Sequence, residues 1–357
     1  MWNQRPLVIS GPCSAESEEQ VMASCTPLAK SGKVHLLRAG IWKPRTRPDS
    51  FEGVGEIGLL WLVNAGKSLG LPTTTEVANP DHVEKALKAG IDVLWIGART
   101  TVNPFAVQAI ADVLKGENIP VLVKNPVNPD LQLWIGAIER IKKAGISKIG
   151  AIHRGFSHYG ESRYRNRPMW DIPIGLKTEF PELPLICDPS HIGGKREMVE
   201  EISQRAFDLG YSGLMIESHV TPDKALSDAR QQVAPEDLVN ILSKLTYRAK
   251  ELSDPLVINK LEELRKQIDT LDEELVRLLA SRMSIAEKIG EYKEENDIAI
   301  LQLKRWREIL DSRTDLAEKL DLTPHFIQAV LDQIHKESIR VQTRSRREAK
   351  RDDEVMW

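Results

Sequence analysis

Short apolar segments alternate with longer amphipathic segments along residues 7–252, and this alternation limits the fold more than any other feature. The apolar segments are as short and hydrophobic as buried parallel strands, and the segments between them have helical spacing. Eight such units in about 210 residues agree with an α/β fold, the (β/α)₈ TIM barrel. An open doubly wound sheet is the alternative, but no glycine-rich dinucleotide fingerprint follows the first strand. The predicted strands are 7–10, 35–39, 73–77, 93–97, 121–124, 148–152, 183–187 and 213–217.

The composition changes near Asp254, which predicts a second domain. Of the 22 glycines, only Gly290 lies beyond this point, where charged residues and helical spacing dominate. We therefore predict a barrel domain at 1–253 and an all-helical domain at 254–357. The formal net charge of −3 gives no general attraction to nucleic acid. Three cysteines, no apolar leader and no membrane-length apolar run lead us to expect a soluble cytoplasmic protein.

Four side chains with metal-binding atoms lie at or just beyond predicted strand ends. Taken singly, each has an ordinary explanation, such as a buried thiol, a helix-capping histidine or a solvated carboxylate. Together, at the rim where barrels carry their functional residues, they predict a metal site. Their sulfur, nitrogen and oxygen donors fit Mn²⁺, Fe²⁺, Co²⁺ or Zn²⁺ and do not choose among them. The four are Cys13, His191, Glu217 and Asp228.

Six cationic residues point to the same rim. Surface salt bridging is the ordinary explanation, but it suits a helix face better than strand ends. Gathered cations predict an anionic ligand, because arginine forms paired contacts with phosphate or carboxylate and lysine supplies a point charge. So many of them indicate more than one anionic group, such as two phosphorylated substrates. The six are Arg38, Lys43, Arg45, Arg99, Lys124 and Arg154.

The motifs of the first domain resemble the short, beta-subtype 3-deoxy-D-arabino-heptulosonate 7-phosphate (DAHP) synthases. The strings are GPCS, LRAGIWKPRT, IGAR, VLVKN, HRG, DPSH, IESH and LSDARQQ, in that order between residues 11 and 232. The resemblance implies condensation of phosphoenolpyruvate with erythrose 4-phosphate, and it assigns the metal ligands to the four residues above. A related synthase uses arabinose 5-phosphate, and the KPRT string favours the erythrose enzyme.

By the same resemblance, each substrate has its own set of contacts. The phosphoenolpyruvate contacts correspond to Arg38, Lys43, Arg99, Lys124 and Arg154. The erythrose 4-phosphate contacts correspond to Lys43, Pro44, Arg45 and Thr46. Lys43 belongs to both sets and is the expected catalytic residue of the barrel.

The second domain begins with a heptad-like apolar stripe. The stripe runs from Leu261 to Tyr292 in steps of three and four residues, and Arg282 occupies one of its positions. An arginine in an apolar seam is costly unless it meets an anion. Two further helices are predicted at 300–320 and 324–343. On periodicity alone, a dimerisation hairpin with snorkelling cations is the simpler interpretation.

The polar residues of these helices resemble the pattern of the all-helical chorismate mutases. The resemblance implies an intertwined dimer in which Arg282 reaches the partner's site, whereas Arg265, Lys293 and Arg305 contact substrate in their own chain. Lys293 and Gln342 would stabilise charge on the breaking ether oxygen of chorismate. Gln302 and Trp306 stand where some relatives have Asp and Glu that bind the substrate hydroxyl. The substrate-binding set is Arg265, Arg282, Lys293, Gln302, Arg305, Ser338 and Gln342.

We therefore expect a bifunctional enzyme, a metal-dependent DAHP synthase fused to a chorismate mutase. A synthase whose helical domain only regulates or dimerises is the alternative. Because the barrel pattern starts near residue 7, we expect feedback control to act through the helical domain or on the barrel itself. Prephenate is the expected inhibitor, and a homodimer or higher homo-oligomer through the helical domain is the expected assembly.

Overall fold

The structure, a computed structural model, describes residues 6–43, 51–248 and 255–354, with the backbone alone for residues 255 and 344–354. The chain divides between Lys250 and Glu251 into two compact units. The predicted boundary at 253/254 lies among residues outside the described ranges. Among the described residues, no helix is long and apolar enough to cross a lipid bilayer.

Eight parallel strands close the first unit into a barrel, in which each strand pairs with the next and β8 pairs with β1. The prediction of a (β/α)₈ barrel is confirmed. The predicted strands overlap all eight observed ones, because most of them are the apolar runs expected of strands buried on both faces. The exception is β3, TTTEV, which is rich in β-branched residues instead. The strands are β1 Leu7–Gly11, β2 Leu36–Arg38, β3 Thr73–Val77, β4 Val93–Ile96, β5 Val121–Lys124, β6 Ile149–His153, β7 Leu185–Cys187 and β8 Gly213–Glu217.

Within the described part of the first unit, ten α-helices connect and surround these strands. Several begin at side-chain caps, as at Asn79, whose Oδ1 accepts a hydrogen bond from the His82 amide at 2.8 Å. The helices are α1 Glu18–Lys30, α2 Ile57–Leu69, α3 Pro80–Ala89, α4 Ala98–Thr101, α5 Pro104–Val113, α6 Leu131–Lys143, α7 Asp171–Glu179, α8 Pro189–Gly193, α9 Val199–Asp208 and α10 Pro235–Lys244.

The interior of the barrel changes from apolar to ionised along the strands. An apolar cluster of inward-facing residues fills it and includes Leu36, Leu122, Ile186 and Met215. Side chains alternate along a strand, so the residue two positions later faces the same interior. These later residues are Arg38, Lys124, Asp188 and Glu217. The carboxyl end of the barrel is therefore lined by buried charges.

Three long helices make up the second unit: α11 Pro255–Glu295, α12 Leu303–Lys319 and α13 Pro324–Glu354. Helix α13 packs against both α11 and α12. The apolar stripe of α11 stays largely exposed, with Ile268 57 %, Leu275 55 % and Leu278 68 % accessible. An apolar seam of this extent predicts a further partner for α11. The helical second domain is confirmed by this arrangement.

Removing Ile186 from the barrel interior tests how the barrel is stabilised. Its side chain is fully buried in the interior cluster. Ile186→Ala is expected to lower the free energy of unfolding by about 2–5 kcal/mol, because it leaves a cavity that the closed barrel cannot fill. The matched control is Phe105→Ala on α5, where the side chain is 87 % exposed. Urea unfolding followed by fluorescence measures both, and equal losses would contradict a packed interior.

Candidate active sites

Three of the four predicted metal donors meet at the carboxyl end of the barrel. The donor atoms of Cys13, Glu217 and Asp228 all lie within 4.8 Å of one another. The Sγ of Cys13 is 3.5 Å from Oδ2 of Asp228. The fourth residue, His191, directs its Nε2 toward Glu217, 3.9 Å from Oε1. The structure thus brings together a thiol from the loop after β1, an imidazole from α8, and two carboxylates from β8 and the loop that follows it.

Asp188 fixes the orientation of His191. Its carboxylate caps α8 by accepting from the His191 amide at 3.1 Å, and it contacts Nδ1 of the same ring at 3.0 Å. Burial lowers the pKa of the His191 imidazole, although Asp188 and Glu217 oppose this shift. A neutral ring that donates from Nδ1 to a carboxylate presents Nε2 as an electron-pair donor. Asp188 stands in the DPSH string, but sequence reasoning did not single it out.

Glu217 is held by a buried ion pair. Its Oε1 lies 3.2 Å from Nη1 of Arg38, and the two side chains are 0 % and 1 % exposed. Burial alone would raise the pKa of this carboxyl, but His191 and Arg38 lower it below its usual value. Oε1 still accepts no hydrogen bond of regular geometry. An ionised, buried oxygen in this state is suited to bind a cation.

The Cys13 thiol lies in a mixed electrostatic environment. Burial raises its pKa to about 12, Glu217 and Asp228 add to the rise, and Lys43 opposes it. The Nζ of Lys43 donates to Sγ at 3.1 Å. Position 40 requires a glycine here, because a Cβ there would lie 2.6 Å from the backbone carbonyl oxygen of Cys13 and 2.5 Å from the same Nζ. The expected catalytic lysine is therefore adjacent to the donor cluster.

Arg38 and Lys124 line the interior beside these donors. Lys124 pairs with Asp188 at 2.8 Å, and both side chains are buried. The indole of Trp95 lies beneath the two cations, with the Arg38 guanidinium carbon 4.9 Å and Lys124 Nζ 5.6 Å from the ring centroid. An aromatic face stabilises cations in a desolvated place. These contacts hold the two cations beside the metal donors.

Arg154 adds a further positive charge near Arg38 and Lys124. Its guanidinium is buried and donates to Oδ1 of Asn166 at 2.6 Å. Burial lowers its pKa to about 10, and Arg165 and Arg99 add to this shift, whereas Asp188 opposes it. Two neighbouring arginines therefore disfavour the charge on Arg154, and a bound anion would relieve this repulsion. Arg99 is exposed, which leaves it accessible to a ligand.

Three expected site residues, Pro44, Arg45 and Thr46, lie outside the described residues. Sequence reasoning missed Arg165, which stands in the segment between β6 and α7. Its Nη1 pairs with Oδ1 of Asp228 at 2.9 Å. It lines a cavity of about 460 Å³ together with Lys195, Asp228 and Arg230. The two cations Arg163 and Arg165 flank Tyr164 in sequence, which was the available signal.

In the helical unit, four of the seven expected residues meet within one chain. Arg282 of α11 donates to Oγ of Ser338 on α13 at 2.5 Å. Lys293 donates to Oε1 of Gln342 at 3.3 Å and to the Ile300 carbonyl at 2.7 Å. Burial lowers the pKa of the Lys293 ammonium. The cluster presents a guanidinium, an ammonium, a hydroxyl and an amide side by side.

Two arginines expected to act on opposite sides of a dimer have different surroundings within one chain. Arg282 contacts Ser338 of its own chain. Arg265 lies 17 positions earlier on the same continuous helix, which is about 25 Å at 1.5 Å per residue. It pairs locally with Glu262, as Arg305 pairs with Glu308. Arg265 is therefore too far away to contact the cluster of its own chain.

The substitutions at Gln302 and Trp306 have a structural setting. Gln302 precedes α12, and its side chain caps no amide there. The Trp306 indole stacks on the His335 imidazole of α13, with 3.9 Å between ring centroids. The pKa of His335 is lowered by burial and by Arg282, with Asp332 opposing. An aromatic pair thus stands where some chorismate mutases place a carboxylate.

Comparison with known sequences identifies both units. The sequence model of the DAHP synthetase I family matches residues 2–253, and that of chorismate mutase type II matches residues 264–343. A phospho-2-dehydro-3-deoxyheptonate aldolase from Thermotoga maritima is 34% identical over 249 residues, or 70% of each chain. A 2-dehydro-3-deoxyphosphooctonate aldolase from Geobacter metallireducens is 30% identical over 271 residues, covering 69% of this chain and 93% of the relative.

Solved structures agree with these matches. The crystal structure of the DAHP synthase from Thermotoga maritima aligns with a TM-score of 0.61 and 32% identity, covering 68% of each chain. A truncated form of that synthase aligns with a TM-score of 0.59 and 30% identity, covering 68% of this chain and 86% of the other.

Proposed function

The chain belongs to the DAHP synthetase I family and continues into a chorismate mutase domain, and from this we propose how its two sites work. The protein is a bifunctional enzyme of the shikimate pathway. We propose that the barrel condenses phosphoenolpyruvate with erythrose 4-phosphate and that the helical unit rearranges chorismate to prephenate. The observation that carries the first proposal is the cluster of Cys13, Glu217 and Asp228 beside Arg38 and Lys43.

The donor cluster suits a divalent cation. Members of the family generally depend on a divalent metal ion, and the donors here are one sulfur, one imidazole nitrogen and carboxylate oxygens. We propose Cys13, His191, Glu217 and Asp228 as its ligands, with Mn²⁺, Fe²⁺, Co²⁺ and Zn²⁺ all compatible. When bound, such an ion would polarise the aldehyde of the sugar phosphate. Asp188 supports the set by holding the ring of His191.

The cations beside the cluster would bind and orient the two anionic substrates. Arg165 and Arg99 lie close enough to disfavour the charge on Arg154, which an anion would relieve. Lys124 and Arg38 lie deeper, and both are nearly inaccessible to solvent. We propose that this group holds the phosphate and carboxylate of phosphoenolpyruvate, so that fixed positive charge replaces bound water. Lys43, next to Cys13, would then face the carbonyl of the incoming sugar.

A second candidate for the barrel is the octulosonate reaction, which uses arabinose 5-phosphate. The relative from Geobacter metallireducens supports it by its identity of 30%. The heptonate relative is more similar, at 34%, and a chorismate mutase domain belongs to the same pathway as DAHP synthesis. We therefore favour erythrose 4-phosphate. Comparing the rates with the two sugar phosphates distinguishes the candidates.

We propose that the helical unit works as a dimer through α11. Its apolar stripe is largely exposed in one chain, and it follows the heptad spacing by which two helices cover each other. A partner related by a twofold axis perpendicular to α11 would place the early part of one α11 near the late part of the other. Arg265 of each chain would then complete the cluster of Arg282, Lys293 and Gln342 in its partner. Lys293 and Gln342 would stabilise charge on the breaking ether oxygen.

We further propose that prephenate, the mutase product, inhibits the synthase through the helical unit. Arg282 and Lys293 would bind the two carboxylates of prephenate as they bind those of chorismate. Inhibition then reflects a coupling of about 1–3 kcal/mol between the two sites. Reciprocity requires the synthase substrates to change the affinity for prephenate by the same factor.

Removal of a metal donor is expected to abolish the first activity alone. Cys13→Ala and His191→Ala should each lower synthase turnover by about 100-fold or more, because an open donor set binds the ion poorly. Mutase turnover in the same full-length protein should persist and serves as the folding check. Cys25→Ala, a buried cysteine of α1, is the matched control. Synthase activity that survives complete chelation of the wild-type enzyme would contradict the proposal.

Co-expressed mutase variants test which arginine crosses the dimer. Arg265→Ala protomers combined with Lys293→Ala protomers should recover about a quarter of wild-type mutase activity. About half of the dimers would be mixed, and one of the two sites in each mixed dimer would be intact. Arg282→Ala combined with Lys293→Ala should recover none, because both residues belong to one chain's cluster. Recovery by the second pair, or failure of the first, would contradict the assignment.

The prephenate proposal is tested in the full-length chain. Arg282→Ala should abolish inhibition of the synthase by prephenate, whereas uninhibited synthase turnover should stay near the wild-type value, because the residue lies in the helical unit. Arg277→Ala is the matched control, an arginine of the same helix paired only locally with Glu273. A synthase inhibited equally in both variants would refute control through this site.

A further inference from the structure

Two adjacent buried glutamines, Gln231 and Gln232, connect the metal donors to one another. They follow Asp228 in the loop after β8, and their exposures are 1 % and 0 %. Neither carries a role in the function proposed above. Each side-chain amide makes two hydrogen bonds. The partners are the metal-donor residues Cys13 and Glu217, Ser227 next to Asp228, and Arg165, which contacts Asp228.

Gln232 ties the loop after β1 to the loop after β8. Its Oε1 accepts from the backbone amide of Cys13 at 2.9 Å, and its Nε2 donates to the backbone carbonyl of Ser227 at 2.8 Å. Cys13 carries the thiol donor, and Ser227 directly precedes Asp228. One side chain therefore fixes the backbone on both sides of the gap between the Cys13 and Asp228 donors.

The backbone at Asp228 shows why this tie matters. Asp228 adopts φ +48° and ψ +36°, a left-handed conformation that an aspartate tolerates but does not prefer. The backbone amide of Gln231 donates to the backbone carbonyl of Asp228 at 3.1 Å. Ser227 is held a second time, since its Oγ lies 2.5 Å from Oγ of Ser14. The loop is thus held in a conformation that aims the Asp228 carboxylate at Cys13.

Gln231 connects the remaining carboxylate to the same loop. Its Nε2 donates to Oε2 of Glu217 at 2.6 Å. Its Oε1 accepts from Nη1 of Arg165 at 2.5 Å, and that same nitrogen contacts Oδ1 of Asp228. The Gln231 side-chain amide therefore links the two carboxylate donors through one arginine. It occupies Oε2 of Glu217, while Oε1 of Glu217 faces Arg38 and His191.

We propose that Gln231 and Gln232 are positioning residues that set the spacing of the Cys13, Glu217 and Asp228 donors and thereby the affinity for a divalent cation. The inference rests on the proposed metal site. A glutamine amide suits this role because it donates and accepts at once and carries no charge. A carboxylate would lose the donor and add negative charge, and an apolar side chain would lose both bonds.

Cobalt(II) titration of the metal-free, full-length protein tests the proposal. A thiolate bound to Co²⁺ gives a near-ultraviolet charge-transfer band, which reports whether Cys13 ligates the ion. Competition with a chelator gives the affinity. Gln232→Met should lower the affinity about 10–100-fold and weaken the band, because Cys13 is no longer held beside Asp228. Gln231→Met should lower the affinity similarly but leave the band intact, because its partners are carboxylates and Arg165.

Gln204 of α9 offers a matched control. Its side-chain amide also bridges two backbone groups, accepting from the Thr246 amide at 2.9 Å and donating to the Thr246 carbonyl at 3.0 Å. Gln204→Met should bind Co²⁺ as wild type does. If Gln232→Met does not fold, Ser14→Ala removes the second tie to Ser227 and should lower the affinity in the same direction.

The outcomes separate two failures. If wild-type protein shows no thiolate band on addition of Co²⁺, the proposed metal site itself is wrong. If wild type binds Co²⁺ through Cys13 but the Gln231 and Gln232 variants bind with unchanged affinity, the positioning role is refuted. An equal loss in Gln204→Met would also refute it, because the effect would then be one of general stability.

Discussion

Two ion pairs buried at the carboxyl end of the barrel determine how the synthase site is arranged. Arg38 pairs with Glu217 and Lys124 pairs with Asp188, and all four side chains are almost inaccessible. Charges in a low-dielectric interior are costly unless they are paired, and loss of one partner leaves the other without compensation. The two carboxylates therefore stay ionised and keep fixed positions. Asp188 can then orient His191, and Glu217 can present an oxygen to the donor cluster.

At the carboxyl end of the barrel, the negative and positive side chains gather on different sides. Carboxylates gather toward β1, β7 and β8, where the thiol and the imidazole join them, and this side suits a cation. Arginines gather around Arg154, where burial and neighbouring cations lower a guanidinium pKa, and this side suits an anion. Opposite charges held a few ångströms apart would bring a metal-polarised aldehyde and an anionic nucleophile together.

The helical unit is built on a different principle. Its long helices leave a wide apolar seam exposed, and its buried described residues include small ones such as Ala286 and Ala317. The apolar stripe of α11 is therefore left largely uncovered within a single chain, and the proposed dimer would cover it. The polar cluster of Arg282, Ser338, Lys293 and Gln342 lies beside this seam, so assembly and catalysis are expected to be inseparable.

The sequence by itself determined the barrel and the residue types of its site, because both follow from local periodicity. A strand buried on both faces must be an apolar run, and the first polar residue at its end must face the carboxyl rim. This rule identified Cys13, Glu217, Arg38 and Lys124. It could not identify Arg165, which lies in the segment between β6 and α7, or Gln232, whose partner Cys13 is 219 residues away. Asp188, the first polar residue after β7, satisfies the rule but was not singled out. It left the roles of Arg282 and Arg265 across a dimer as predictions, since helical spacing shows which face a residue occupies but not which chain it reaches. Those decisions belong to tertiary structure, because hydrogen bonds between distant loops and the reach of a rigid helix depend on where the fold places each end.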